Sequence, residues 1–211
     1  MRISLYSSKG GAGKTPLSLL FAIDKEFALA TNESYDVHSG NLPDDRLLFV
    51  EADQEFPQIP EGIDIVFDLA GTMTKHDYST LSAIRQSDVV IVPIWNNIGS
   101  ILGGVKSVEA VAQHTKNIIV VATKLRNKAK GETWLDSSDF QTVQESVKSI
   151  ESEIGFMPRV LPLKHSDSFE TVLSQYTSFH QMAEKSGLAA YTHKELIKQI
   201  DDIYAEVARY E

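Results

Sequence analysis

The sequence predicts an α/β fold, a mostly parallel sheet with helices on both faces. Three observations carry that expectation. "DVVIVPI" (88–94) and "NIIVVAT" (117–123) are short runs rich in β-branched residues, as core strands are. Longer stretches with helical periodicity separate such runs, the alternation that βαβ units leave in a sequence. The first run, "ISLYS" (3–7), leads straight into a glycine-rich turn and then an apolar helical pattern. No internal repeat, low-complexity segment or linker divides the chain, so residues 1–211 are read as one domain.

Taken in order, "ISLYS" is the first strand, and Leu17, Leu19, Leu20 and Ile23 give the helix after it an apolar side. "FALAT" (27–31), "LLFVE" (47–51) and "IDIVFD" (63–68) read as the next three strands. Helices are expected near 76–87, 100–115 and 138–154, the third opened by Ser138 with Gln141 as a capping box. "RVLPL" (159–163) reads as the last strand, and Thr192 with Glu195 as the start of a terminal helix. One crossover is too short. "QEFPQIPEG", between Asp53 and Ile63, holds two prolines and falls below the dozen or so residues that a parallel crossover needs. "LLFVE" is therefore read as an edge strand and not as a direct parallel neighbour of "IDIVFD".

Composition excludes several classes. The chain has 211 residues, 42% hydrophobic and 23% charged, as ordinary soluble globular proteins do. No apolar run approaches the roughly 18–20 residues that span a bilayer. The N-terminus passes directly into a strand, unlike a signal peptide, so the cytoplasm is the expected location. The absence of cysteine removes disulfides, thiolate metal sites and thiolate-held iron–sulfur clusters. A net charge of −9 argues against a uniformly basic nucleic-acid coat, while leaving room for a local basic patch.

The chemistry concentrates in "SSKGGAGKTP" (7–16). A strand, then Gly10-Gly11-Ala12-Gly13-Lys14-Thr15, then a helix is the arrangement that cradles a triphosphate. The glycines let backbone N–H groups converge on phosphate oxygens, and the helix N-terminus adds partial positive charge. In such a loop Lys14 reaches the β- and γ-phosphates and the Thr15 hydroxyl coordinates Mg²⁺. Ser8 stands where the strict pattern has its first glycine.

"KGGAGKT" resembles the deviant Walker A motif of the ParA/MinD family of P-loop ATPases. The resemblance implies a P-loop NTPase architecture, ATP and Mg²⁺ as cofactors, and an ATP-dependent homodimer in which Lys9 crosses to the partner's nucleotide. It also implies work in plasmid or chromosome partition with an adaptor protein. Pro16 departs from the family, which usually has a Thr or Ser there to help bind the α-phosphate. Proline is tolerated in the first helical turn, so a weakened α-phosphate contact is expected, not loss of binding.

"IDIVFDLAG" resembles the family's Walker B strand. It implies that Asp68 holds the Mg²⁺ shell and that Gly71 lets the following loop move near the γ-phosphate. The family's second-strand acidic pair, which holds the attacking water, has no full counterpart. "EAD" (51–53) offers Asp53, but that residue lies well beyond the usual spacing after Lys14 and follows the edge strand. "TNES" (31–34) offers Glu33, which is favoured over Asp53. Thr31 and Asn32 are weaker substitutes for acids, so slow or partner-dependent hydrolysis is expected.

"TKLRNKAKG" (123–131) gathers Lys124, Arg126, Lys128 and Lys130 into a positive patch, and the resemblance implies nonspecific DNA binding and nucleoid association there. The terminal helix has an apolar face of Leu196, Ile197, Ile200, Ile203, Tyr204 and Val207. Its polar face is acidic, so packing on the domain is expected, not membrane attachment. His165 and Asp167 are read as part of a loop near the nucleotide base. Two alternatives stand beside the partition ATPase: a nucleotide-gated regulator with little hydrolysis, and a dethiobiotin-synthetase-like ligase. Lys9 speaks against the ligase.

Overall fold

A computed structural model of the chain describes residues 1–33, 38, 42–71, 77–126 and 128–211. Seven strands form one sheet: β1 (Arg2–Leu5), β2 (Ala28–Thr31), β3 (Leu47–Phe49), β4 (Ile65–Asp68), β5 (Val89–Trp95), β6 (Ile118–Leu125) and β7 (Arg159–Lys164). Their order is β3-β2-β4-β1-β5-β6-β7 and every pairing is parallel. All seven predicted strands are present. The helices are α1 (Lys14–Asp24), α2 (Tyr78–Gln86), α3 (Ile98–Ala112), α4 (Ser138–Lys148), α5 (Glu151–Ile154), α6 (Phe169–Gln175), α7 (Phe179–Lys185) and α8 (Gly187–Val207).

Alternation along each strand builds two cores. Val90, Val92 and Ile94 of β5 join Val120 and Ala122 of β6 on the face covered by α2, α3 and α4. Val89 and Ile91 join Ile119 and Val121 on the other face, with Leu17, Leu20 and Phe21 of α1. The same face takes Leu196, Ile200, Ile203, Tyr204 and Val207 of α8. Because both faces are buried, the strands read as continuous apolar runs.

The edge reading of "LLFVE" holds. β3 pairs in parallel with β2, and β4 lies on the far side of β2. Residues 50–64 thus cross β2 without a helix. They do so by burying Phe56 and Ile59 where a helix would pack. Phe56 meets Phe67 edge-on at 5.1 Å, and the Phe56 and Ile59 amides donate to Ser82 Oγ and Gln86 Oε1 of α2.

Helix boundaries needed correction. The cap before α4 is Ser137, whose Oγ accepts from the Phe140 amide, while Gln141 donates to the Leu135 carbonyl. The predicted 138–154 helix breaks near Ser149 and Ile150 into α4 and α5. Thr192 lies inside α8, which starts five residues earlier in the chain behind the cap Ser186. α6 and α7 were not foreseen, although Ser178 and Gln181 form a reciprocal capping box at α7. The expected start of α2 at residue 76 lies outside the described residues; Asp77 caps it through the Thr80 amide.

Candidate functional site

Strand order sets the site. β1 is central, with β4 on one side and β5 on the other. After β4 the chain passes to the far side of β1. A crevice therefore opens at the carboxyl end of β1, the place where open α/β sheets hold ligands. Register puts Leu5 opposite Asp68, so the loop that follows β1 begins beside the Asp68 carboxylate.

The loop is shaped by two glycines in the left-handed region, Gly11 (φ 74°) and Gly13 (φ 108°), which a side chain would strain. Gly13 is also the N-cap of α1. Thr123 at the end of β6 donates from Oγ1 to the Ala12 carbonyl at 2.8 Å, fixing the loop's far side. The Lys14 ammonium is buried, and its hydrogen bond to the Ser7 carbonyl is long, 3.5 Å. Ser7 Oγ is buried and without a partner among the described residues. Pro16 occupies the first turn of α1, where an N–H has no intrahelical acceptor, so the helix loses no bond there.

Ser8 has a structural reason to replace glycine. Its amide donates to Ser107 Oγ (2.9 Å) and its own hydroxyl donates to the Gly103 carbonyl (2.9 Å). The loop is thereby stitched to α3. Close approach requires Gly103, because a Cβ there would stand 3.1 Å from Ser8 Oγ and 3.2 Å from Lys9 Cβ. The exposed Lys9 runs its stem along this helix, and a Cβ at Gly99 would meet Lys9 Cε at 3.8 Å. Ile98 and Leu102 on the same helix are exposed, 77% and 60%.

Asp68 is fully buried, yet among the described residues neither carboxylate oxygen accepts a hydrogen bond. His38 Nε2 stands 3.5 Å from Oδ2. A buried carboxylate in this condition is costly unless a ligand or ion completes it. Tyr6, at the root of the loop, is buried near Asp77. Burial first, and then that carboxylate, push its phenol up to about 12.

Glu33 follows β2 directly, with its amide donating to Thr31 Oγ1. Thr31 lies opposite Asp68 and donates to the Asp68 carbonyl. Asn32 is no stand-in acid in this structure. Its amide nitrogen donates to Ser79 Oγ and its oxygen accepts from the Ala70 amide, clamping β2 to the turn after β4 and to α2. Adjacent strands lie about 4.8 Å apart, so β2 is about 10 Å from β1 and the edge strand β3 about 14 Å. Asp53 follows that edge strand and is exposed. Gly71, three residues after Asp68, sits where a Cβ would come 3.0 Å from the Ser7 carbonyl.

The basic segment leaves β6 at a break in its pairing with β7, where Lys124 is left-handed (φ 56°). Lys124 Nζ lies 5.0 Å from the centroid of the Trp95 ring. Lys128 Nζ lies over Trp134 and pairs with Glu195 at 3.3 Å. The Arg126 amide is held by Asp139, and its guanidinium meets His165 at 3.1 Å. His165 in turn pairs with Asp167. Arg126 and Lys130 are exposed. The four cations therefore do not act alike, and the pairings were invisible in a count of charges.

Lys14, Thr15, Gly10 to Gly13 and Asp68 thus converge, with Lys9 at the outer rim. Ser107, Gly103, Thr123 and His38 were missed. "SILGGV" (100–105), with adjacent glycines inside a helical pattern, was the one sequence cue to a close backbone approach.

No protein-family model matches the sequence, and no curated protein matches it. Solved structures do. McdA from Cyanothece in its apo form aligns with a TM-score of 0.60 at 12% identity, over 98% of this chain and 99% of that one. A putative plasmid partition protein from Borrelia burgdorferi B31, bound to AMPPNP, gives 0.54 at 11% identity over 99% and 98%. MinD from Aquifex aeolicus gives 0.54 at 13% identity over 97% of each chain. The likeness establishes the fold, the P-loop NTPase architecture of these proteins, across nearly the whole chain.

Proposed function

We propose that this chain is an ATP-dependent, dimerising ATPase switch of the ParA/MinD type that acts in positioning or partitioning a cargo. The observation that carries the reading is Asp68. It is a fully buried carboxylate without a hydrogen-bond donor among the described residues, in register with the strand that feeds a loop ending in the buried Lys14. Such a group fits the shell of a divalent cation. Mg²⁺ would be held by Thr15 and Asp68, and the phosphates by the amides of Gly10 to Thr15 and by Lys14, with Pro16 beside them.

When bound, Mg²⁺–ATP supplies the electrophilic phosphorus and the divalent charge that draws electron density from it. The chain's own part is to orient and to exclude water. Lys14 is already desolvated and needs no long side chain to be ordered on binding. Thr31 and Asn32 hold the β2 end against β4, and Glu33, next in the chain, is the residue proposed to orient a nucleophilic water. Lys9 is exposed in the loop alongside Gly99 and Gly103 of α3, and its role is to reach the nucleotide of a second copy. Arg126 and Lys130 are the cations best placed for nonspecific DNA contact, and an adaptor protein would complete the system.

A second reading, a nucleotide-gated regulator with little hydrolysis, is favoured by Asn32. In most respects it uses the same site, but the second-strand side chains are committed to structure instead of to water. Binding of fluorescent ATP and ADP analogues with and without Mg²⁺, together with light scattering under ATP, ADP and a nonhydrolysable analogue, tests both. Mg²⁺-dependent binding and an ATP-specific dimer are expected. Negligible turnover with or without DNA selects the regulator. Turnover that requires a small carboxylate contradicts both readings.

A further inference from the structure

We infer that His38 is a built-in competitor for the metal end of this site, held against Asp68 by Tyr176. The inference rests on the nucleotide-switch reading and adds a regulatory residue to it. His38 is 1% exposed and Asp68 is 0% exposed, and Nε2 lies 3.5 Å from Oδ2. That separation is an ion-pair distance, beyond a good hydrogen bond, so the imidazole occupies the approach to the carboxylate without saturating it. On its other edge, Nδ1 and the Tyr176 hydroxyl are 2.8 Å apart, with the two rings nearly perpendicular.

Tyr176 caps α6 in a left-handed conformation (φ 47°), which a bulky residue adopts only when its surroundings hold it there. The pairing therefore bridges distant parts of the chain: the end of β4, the segment after β2, and the α6–α7 junction. A hydrated divalent cation drawn to Asp68 competes with the buried imidazole 3.5 Å from Oδ2 for the same approach. Metal arrival must move His38, and moving it breaks or re-aims the bond to Tyr176. Occupancy at Asp68 is thus reported at α6–α7, and reciprocally a change at α6–α7 alters metal affinity.

The test is a titration of a MANT-labelled ADP across free Mg²⁺ concentrations, with an EDTA arm, for the wild type, H38A and Y176F. Removing the competitor in H38A lowers the Mg²⁺ needed for half-maximal binding by about fivefold or more. Y176F, which deletes one oxygen and keeps the packing, shifts it in the same direction by less. Affinity in EDTA is unchanged in both, and thermal melts confirm that each variant is folded. An unchanged or raised Mg²⁺ requirement in both variants, or an equal shift in EDTA, overturns the inference. If the wild type binds no nucleotide, the switch reading itself falls, which is a distinguishable result.

Discussion

Two charged regions lie along the carboxyl edge of the sheet, and they are built in opposite ways. Around Lys14 and Asp68 there is little charge, but it is buried and, among the described residues, short of partners. Along 124–130 there is much charge, but it is mostly exposed and already matched. Lys124 lies over Trp95, Lys128 lies over Trp134 and against Glu195, and Glu195 also meets Lys164. Burial pushes Glu195 upward, yet the hydrogen bond from Lys128 and the charge of Lys164 outweigh it and hold the carboxyl below its ordinary range. Density of charge in a sequence therefore says little about ligands. Charge removed from water and left incomplete says more.

The contrast can be broken by experiment. Lys14→Ala is expected to weaken nucleotide binding about 100-fold or more, the loss of a buried charge contact of ~3 kcal/mol, while Lys128→Ala leaves it unchanged. Equal losses in a fluorescent-nucleotide titration would erase the distinction. Asp68→Asn should raise the Mg²⁺ requirement roughly 10-fold or more, in the range that altered metal shells produce. Gly104→Ala probes the stitched helix, since a Cβ there would come within 2.5 Å of Ile94. It should destabilise the fold by about 2 kcal/mol in urea melts, and Ile94→Val should recover part of this.

Tyr6 extends the buried region to high pH. The unfolded tyrosine loses its proton near 10 and the folded one near 12. Across that window the unfolded state binds fewer protons, so stability falls as pH rises through it. Alkaline melts should show this loss, and Tyr6→Phe should reduce it. The smallest effect belongs to the other region. Lys128→Ala should change stability by less than about 1 kcal/mol. Removing Arg126 and Lys130 together should flatten the salt dependence of any DNA retention by about two phosphate contacts.

All seven strands were legible because strands buried on both faces are written as short β-branched runs. The glycine loop was legible because close phosphate approach admits few residue types. The crossover count placed β3 at the edge, but residues 50–64, longer than the nine counted, do make a parallel crossover over β2 without a helix. What stayed hidden depends on distance in space. Asn32 resembled half of a missing acidic pair until its amide was seen clamping Ala70 and Ser79. His38 sits in "SYDVHSGN" without any spacing that would mark it, and only the fold brings it to Asp68. Helix starts failed where two adjacent serines, Ser137 and Ser138, offered equivalent caps and only one was used.

The central position of β1 has a consequence for the chain during its synthesis. β1 precedes both of the strands that must flank it, residues 65–68 and then 89–91. Its loop is then anchored by Ser107 and Thr123. The chain must therefore extend through Thr123 before the glycine loop can take its final shape. Until then a nascent chain carries its glycine loop unanchored, and until residues 65–68 and 89–91 are made it carries β1 unpaired. Such a window favours early engagement by chaperones.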